Sequence, residues 1–167
     1  MKTIGIPYNE SPVNPIEQYT EVGPSKIHGL GLFAKNFIPK GAVWWYARPQ
    51  DVIIITKEQF LTLDASNKTL LMKNFMQSLL TYSYYDEILD ALIFCLDNSR
   101  FVNHSFNPNS GTEDEHVLNA ITKRDIHPGE EITEDFTRYV LSDWLQKYEK
   151  YFDPYNWLNE KNNVKER

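Results

Sequence analysis

The stretch NSRFVNHSFNPN, residues 98–109, is the most informative segment of this sequence. It brings a guanidinium (Arg100), an amide (Asn103) and an imidazole (His104) together within a short span, and it ends in the turn-forming run Asn-Pro-Asn. Taken alone, such a run is also typical of a polar loop whose side chains hydrogen-bond to its own backbone. The segment therefore gains a specific meaning only from the other motifs of the chain.

Two further segments are weak signals when each is taken alone. The first is HGLGLFA at residues 28–34, in which the Gly-x-Gly is common in any turn. It is not a dinucleotide-binding fingerprint, because the third glycine and the helix that should follow are missing. The second is PGEEITEDF at residues 128–136, where a Pro-Gly turn usually leads into a solvent-facing strand.

Together, and in this order, the three segments resemble the signature of the SET-domain lysine methyltransferases. That signature contains a GxG loop, an ARFxNHSxxPN segment and a GEELTxDY segment; this chain has GLG at 29–31, SRFVNHSFNPN at 99–109 and GEEITEDF at 129–136. The resemblance extends from about Glu21 to Tyr139. Within the family, the chain is similar to the small, free-standing bacterial-type members. It implies a mainly β (α+β) chain: the SET fold of several short β-sheets around a knot-like crossing, with an inserted helical section and a C-terminal helix.

The resemblance also implies S-adenosyl-L-methionine as the cofactor. It assigns six residues to cofactor binding: Gly29, Leu30, Gly31, Arg100, Asn103 and His104. The backbone of Gly29, Leu30 and Gly31 would hold the amino-acid end of the cofactor, since glycine lets the main chain approach closely. The Asn103 side chain would bind the same end, the His104 backbone would meet the adenine, and Arg100 would brace the segment. The alternative for Arg100 is an ordinary surface salt bridge.

The reaction that the resemblance implies is protein-lysine N-methylation, in which a neutral lysine amine attacks the sulfonium methyl group in line. Positioning dominates such a reaction, because the reacting atoms must align within about 3–3.5 Å. A narrow aromatic channel that excludes water would favour the uncharged amine. We expect Tyr46, Phe136 and Tyr139 to form the catalytic part of this channel.

Phe136 departs from the family pattern, because relatives usually carry a tyrosine at this position. Three outcomes are open. Tyr139 or Tyr46 supplies the missing hydroxyl group; or activity is weak or altered in the number of methyl groups added; or the chain binds cofactor or a lysine-containing peptide without turnover. The alternative function is therefore a catalytically weak or inactive SET module. A third interpretation is a β-rich interaction protein whose motifs match by chance.

Composition limits the partners. The chain of 167 residues has a formal net charge of −6, and its only basic cluster is the tail at residues 161–167. The basic stripe of a nucleic-acid-binding protein is missing, whereas an acidic surface attracts basic partners. We therefore expect a protein substrate with an accessible lysine, basic or histone-like, and neither nucleic acid nor membrane as a partner. The oligomeric state stays open.

Cysteine content and hydropathy indicate an intracellular protein without a metal site. Cys95, expected to be a buried small hydrophobe, is the only cysteine, so this chain can form neither an internal disulfide nor a Cys-rich zinc cluster. Phe106 stands where many chromatin-acting relatives have a zinc-binding cysteine. No apolar run approaches the ~18 residues that span a bilayer. We expect a soluble, cytoplasmic protein, or one of the host nucleus if it is viral or an effector.

The sequence pattern divides the chain into three parts. Residues 1–16 should form an irregular arm, residues 17–140 the SET domain with a helical insert at about 57–90, and residues 141–167 a C-terminal helical extension that packs on the domain. Strands are predicted at Leu32–Ala34, Ala42–Ala47, Asp51–Thr56 and Val117–Thr122, while Ile88–Leu96 fits a strand or a helix.

Two helices are predicted within the insert. Thr56 and Gln59 have the spacing of a capping box, so one helix should begin there. A second should run from about Ser66 to Leu80. Its predicted core face consists of Leu71, Met72, Phe75, Met76 and Leu79.

The C-terminal region should be helical from a cap at Ser142 until Pro154. Its shared face is formed by Trp144, Leu145, Tyr148 and Phe152. We expect this aromatic region to close the active site; the alternative is an outward-facing surface for a partner or a second copy.

Overall fold

The structure is a computed structural model that describes residues 13–112, 119–138 and 141–152. The strands in these ranges are β1 (Thr20–Pro24), β2 (Leu30–Ala34), β3 (Val43–Tyr46), β4 (Val52–Thr56), β5 (Ser83–Asp86), β6 (Ala91–Cys95), β7 (Asn103–His104), β8 (Ser110–Gly111), β9 (Asn119–Thr122) and β10 (Glu131–Glu134). The α-helices are α1 (Ile16–Tyr19), α2 (Lys57–Ala65) and α3 (Leu70–Thr81), and 3₁₀ helices span Asn98–Phe101, Phe136–Arg138 and Asp143–Tyr151. The expected mainly β, α+β class with several short sheets is confirmed.

Four predicted features lie wholly or partly outside the described residues. They are most of the N-terminal arm (1–12), the beginning of the predicted strand at Val117, the channel candidate Tyr139, and the extension from residue 153 onward.

The chain divides into two compact units. The first comprises Met1–Val52 and Leu96–Asp135, and the second comprises Ile53–Cys95 and Phe136–Arg167. The expected helical insert and the expected C-terminal extension both fall in the second unit. The three-part division of the sequence stays a prediction.

The first unit is built on a four-stranded sheet in the order β1-β2-β10-β7. Strand β2 is antiparallel to β1 and to β10, with Leu32 opposite Ile132. Strand β7 runs parallel to β10, with Asn103 opposite Thr133. Parallel neighbours require a long connection outside the pair, so this sheet gathers chain segments that are distant in sequence. All three motif segments contribute to it.

A second sheet of the first unit has the order β3-β9-β8, which leaves β3 at an edge. Its sequence VWWY is rich in β-branched and aromatic residues, which favour strands. The strands predicted at Leu32–Ala34 and Ala42–Ala47 are confirmed as β2 and β3. The fully buried apolar side chains of this unit include Leu32, Ile38, Trp44, Ile126 and Ile132.

The second unit combines a sheet in the order β4-β6-β5 with α2 and α3. The predicted capping box is confirmed, because the Thr56 hydroxyl accepts from the Gln59 backbone while the Gln59 side chain accepts from the Thr56 N–H. The ambiguous stretch Ile88–Leu96 contains strand β6, and Cys95 is buried as expected. The core consists of Ile55, Phe60, Met76, Leu79, Leu80, Tyr85, Leu92 and Leu145.

Helix α3 corrects the sequence prediction in two respects. It begins after the cap Thr69, because Ser66 instead ends α2 by donating its backbone N–H to Thr62 and Leu63. Leu71 is 77% exposed and Phe75 47% exposed, so the predicted core face was wrong for both. The helix buries the side that carries Met76, Leu79 and Leu80.

No helix in the described ranges is long and apolar enough to cross a bilayer.

The C-terminal segment is a 3₁₀ helix, Asp143–Tyr151, where a regular helix was predicted. Ser142 precedes it without a side-chain capping bond. The predicted shared face is confirmed, since Leu145 is buried in the core of its unit and Trp144, Tyr148 and Phe152 pack against that core.

Two carboxylates fasten this 3₁₀ helix to the rest of its unit. Asp90 accepts hydrogen bonds of 2.8 Å from both the Trp144 indole and the Tyr85 hydroxyl. Asp64 accepts from the Tyr148 hydroxyl and from Lys147. We call Asp64 and Asp90 the carboxylate latch.

Candidate cofactor and active site

Asn103 on β7 connects the three motif segments. Its Nδ2 atom lies 3.2 Å from the His28 carbonyl oxygen, 3.0 Å from that of Leu30 and 2.7 Å from Glu131 Oε1. An amide nitrogen has two N–H groups, so three acceptors within the protein fully occupy it. In the described ranges, no residue donates a hydrogen bond to its Oδ1 atom. The nitrogen of Asn103 therefore braces residues 28–31, which we call the glycine turn, and its oxygen is available as a hydrogen-bond acceptor.

The glycine turn is shaped by Ser25 and Glu131. The Ser25 backbone N–H donates to the Gly29 carbonyl at 2.9 Å, and its hydroxyl donates to Glu131 Oε1 at 2.7 Å. Gly29 has a φ of +47°, which side chains rarely tolerate. A Cβ atom at Gly31 would lie 2.3 Å from Glu131 Oε1. Glycine at this position therefore allows the carboxylate to lie against the strand.

The outer side of the glycine turn is open. Leu30 is 48% exposed, and a Cβ atom added at Gly29 would meet nothing within 4 Å. The turn is thus supported from the side of β10 and accessible from the other.

His104 is buried beside an acidic group. Its Nδ1 atom lies 3.9 Å from Asp135 Oδ1, and the Phe106 ring meets the imidazole edge-on at 4.4 Å between centroids. Burial lowers the pKa of His104 below its ordinary value, although Asp135 and a hydrogen bond to the Glu134 backbone act in the opposite direction. The imidazole is therefore neutral at physiological pH.

Arg100 contacts residues close to it in sequence at the start of the motif segment. Its guanidinium donates to the Leu96 carbonyl at 2.8 Å and lies 4.8 Å from the centroid of the Phe101 ring. Both contacts are with residues close in sequence, and the bracing role of Arg100 stays a prediction.

Asn109 ties the end of the motif segment to β10. Its Nδ2 atom donates to the Glu131 carbonyl at 2.8 Å, and its Oδ1 atom accepts from the Thr133 N–H at 2.9 Å. The side chain is buried and imitates a strand neighbour along β10.

The aromatic channel candidates are less connected to this network. Tyr46 ends β3 in the first unit, where in the described ranges no hydrogen bond joins it to the glycine turn. Phe136 follows Asp135 directly and begins a 3₁₀ turn of the second unit, where it is half-buried. Their roles in the channel stay predictions, as do those of the cofactor-binding candidates. In the described ranges, no cluster of three or more potential ligands could hold a metal ion.

Sequence reasoning missed three residues that build the site: Ser25, Glu131 and Asn109. Glu131 and Asn109 lie within the quoted motif segments, and Ser25 lies just before the glycine turn. Their partners are across the sheet, so only the strand register could have assigned them.

The chain is similar to known proteins in sequence and in fold. The model of the SET domain family matches residues 29–137. The crystal structure of a candidate histone methyltransferase of Plasmodium falciparum is 20% identical, with a TM-score of 0.47, and the match covers 75% of this chain and 96% of that one. No curated protein matches the sequence.

A second solved structure is ctPRC2 in an autoinhibited conformation bound to S-adenosylmethionine. It is 16% identical with a TM-score of 0.54, and the match covers 79% of this chain but 16% of that one. At this identity the similarity concerns the fold. Since the family model covers most of the chain and all three motif segments, the chain belongs to the SET domain family.

Proposed function

We propose that the chain is a protein-lysine N-methyltransferase that moves a methyl group from S-adenosyl-L-methionine to a lysine side chain of a protein substrate. The observation that carries the proposal is the Asn103 network. One amide nitrogen bonds His28 and Leu30 of the glycine turn and Glu131 of the acidic segment. The three segments of the family signature are thereby held at one place.

The residues at this place fit the amino-acid end of the proposed cofactor. Asn103 Oδ1 and the carbonyl oxygens of His28 and Leu30 are acceptors suited to an ammonium group, since each oxygen has two lone pairs. The open space beside Gly29 leaves room for a ligand at the backbone. Bound there, S-adenosylmethionine would supply an electrophilic methyl group on a sulfonium centre.

The protein's contribution is to orient the bound ligand and to exclude water from the substrate lysine. Glu131 and Ser25 fix the glycine turn, so the binding groups are arranged before the ligand arrives. An aromatic wall at Tyr46 would desolvate the substrate ammonium and thereby favour its neutral, nucleophilic form. His104 is neutral and buried, which suits a residue that contributes through its backbone.

The direct test is methyl transfer. The protein is incubated with cofactor labelled in the methyl group, together with core histones or a cell lysate, and label on protein is measured. We expect label on lysine residues, identified by mass spectrometry. Absence of transfer under all conditions, while calorimetry shows that the cofactor binds, would reject the enzyme and favour a binding module.

Phe136 motivates that second candidate, a SET module with weak or no turnover. The variant Phe136→Tyr restores the hydroxyl that relatives usually carry and is expected to raise kcat by 10-fold or more if the native chain has lost activity. Tyr82→Phe, which removes a hydroxyl elsewhere in the second unit, is the control. Robust native activity that Phe136→Tyr leaves unchanged would exclude the module.

A further inference from the structure

We propose that Asn14 is a positioning residue for Tyr46, whose side-chain amide takes the place of a neighbouring strand and fixes the end of β3. The inference rests on the proposed function, in which Tyr46 lines the path of the substrate lysine. It concerns a residue outside all three motif segments.

The contact between the two residues is bidentate. Asn14 Nδ2 donates to the Tyr46 carbonyl at 2.9 Å, and Asn14 Oδ1 accepts from the Tyr46 N–H at 3.3 Å. Both backbone groups of Tyr46 are thus bonded to one side chain. Asn14 is only 5% exposed, so water does not compete for these bonds.

The location explains why such a contact is needed. Strand β3 is at the edge of its sheet, and Tyr46 is its last residue, paired with Asn119 on the β9 side. An edge strand presents backbone groups without a neighbour on its outer side. Asn14 supplies the missing partner where the strand ends and the chain turns away.

Asn14 is itself held by a partly buried ion pair. Its Nδ2 atom also donates to Asp51 Oδ2 at 2.9 Å, and Asp51 accepts from the Arg48 guanidinium through two nitrogens. The Asp51 N–H donates to the Arg48 carbonyl at 2.9 Å, which closes a turn over Pro49. The turn that follows β3 therefore places Asp51 where it bonds Asn14, and Asn14 in turn bonds Tyr46.

This arrangement restrains the backbone of Tyr46 while leaving its side chain available. In the described ranges, no residue hydrogen-bonds the Tyr46 hydroxyl, and the side chain is half-buried. A fixed backbone with an open side chain is what a residue needs to align a substrate. Misplacement by about 1 Å can cost up to 100-fold in rate.

The test is a double-mutant cycle with Asn14→Ala and Tyr46→Ala, measured as kcat and KM for a lysine peptide and as the cofactor Kd. We expect Asn14→Ala to lower kcat about 10-fold and to leave the cofactor Kd within about 2-fold. In the Tyr46→Ala background, Asn14→Ala should have no further effect on kcat, because the positioned side chain is gone. Asn36→Ala, which removes a similar amide bond to the Gln18 carbonyl at an exposed place, is the matched control.

A structural readout keeps this inference separate from the proposed function. Hydrogen exchange of the Tyr46 amide should be faster in Asn14→Ala and unchanged in Asn36→Ala. If Asn14→Ala lowers kcat equally in the native and Tyr46→Ala backgrounds, the inference is overturned. An unchanged exchange rate of the Tyr46 amide in Asn14→Ala would overturn it as well. If Asn14→Ala does not fold, Asn14→Ser provides the same comparison. If the native protein transfers no methyl group, the proposed function fails, while amide exchange and the Kd of the lysine peptide still decide whether Asn14 positions Tyr46.

Discussion

At the scale of single residues, Gly31 and Glu131 depend on each other. The carboxylate lies where a Cβ atom of residue 31 would be, and it is held there by Ser25 and Asn103. The family resemblance alone explains Gly31 by its closeness to the cofactor. The structure adds a second reason, which is the approach of an acidic side chain from the opposite side.

Gly31→Ala should therefore weaken cofactor binding. The new methyl group would displace the Glu131 carboxylate and release Ser25 and Asn103. Losing these bonds leaves the backbone around Gly31 less well arranged for the ligand, so we expect a Kd about 10-fold higher, which corresponds to about 1.4 kcal/mol of binding free energy, measured by titration calorimetry.

Gly23→Ala is the matched control for this variant. Gly23 pairs with Gly31 across β1 and β2, but its Cβ atom would make only an ordinary contact of 3.4 Å with Phe33. Adding Glu131→Ala should relieve the clash at position 31 without restoring the lost bonds. Equal cofactor affinities of the two glycine variants would contradict the role of Glu131.

At the scale of secondary-structure elements, the carboxylate latch makes the attachment of the C-terminal 3₁₀ helix pH-dependent. Hydrogen bonds from Trp144 and Tyr85 lower the pKa of Asp90. Burial tends to raise the pKa of Asp64, but hydrogen bonds from Tyr148 and Lys147 outweigh it, so this pKa is lowered as well. Such groups stabilise the folded state above their unfolded pKa of about 3.9, and the contribution is lost as pH falls through the folded pKa.

We therefore expect the urea midpoint of the native protein to fall as the pH drops below about 4. Asp90→Asn keeps an acceptor oxygen for Trp144 but cannot be protonated in this range. Its midpoint should depend less steeply on pH. Unfolding followed by tryptophan fluorescence at several pH values measures both slopes, and identical slopes would exclude Asp90 as a contributor.

The sequence predicted element positions better than the faces that the elements bury. The capping box at Thr56 and strands β2, β3 and β4 followed from local chemistry and periodicity. In contrast, Leu71 and Phe75 are exposed although their spacing fits a core stripe. Spacing shows which side chains share a face, but the neighbouring elements decide which face is covered. Asn14 and Glu131 went unassigned for the same reason, because their partners are distant in sequence.

At the scale of the whole molecule, the net charge of −6 should act on substrate choice. An acidic protein attracts basic peptides over a distance that salt shortens to about 10 Å at 0.1 M. We expect KM for a lysine-rich peptide to rise between roughly 50 and 300 mM salt, with little change in the cofactor Kd. A peptide whose target lysine is flanked by acidic residues should show no such rise. If KM for the lysine-rich peptide is independent of salt, the net charge of the chain does not determine substrate choice.

The strand pairings between distant segments could not be predicted from sequence periodicity. The family resemblance implied an α+β chain with a knot-like crossing, but neither it nor the sequence pattern predicted the parallel pairing of β7 with β10. Strand pairing between distant segments depends on tertiary packing that no local window contains. The same holds for the grouping of residues 53–95 with the C-terminal region in one compact unit.

The pairing of Leu32 with Ile132 has a consequence for how the protein is made. Strand β10, which lies between β2 and β7 in the sheet, is translated about 100 residues after β2, as the two paired positions show. Until then β2 has only β1 as a neighbour in this sheet, and an isolated hairpin is marginally stable in water. Its open edge invites association with other chains. Synthesis that stalls before residue 131 would thus leave an aggregation-prone fragment, which gives chaperones a defined window in which to act.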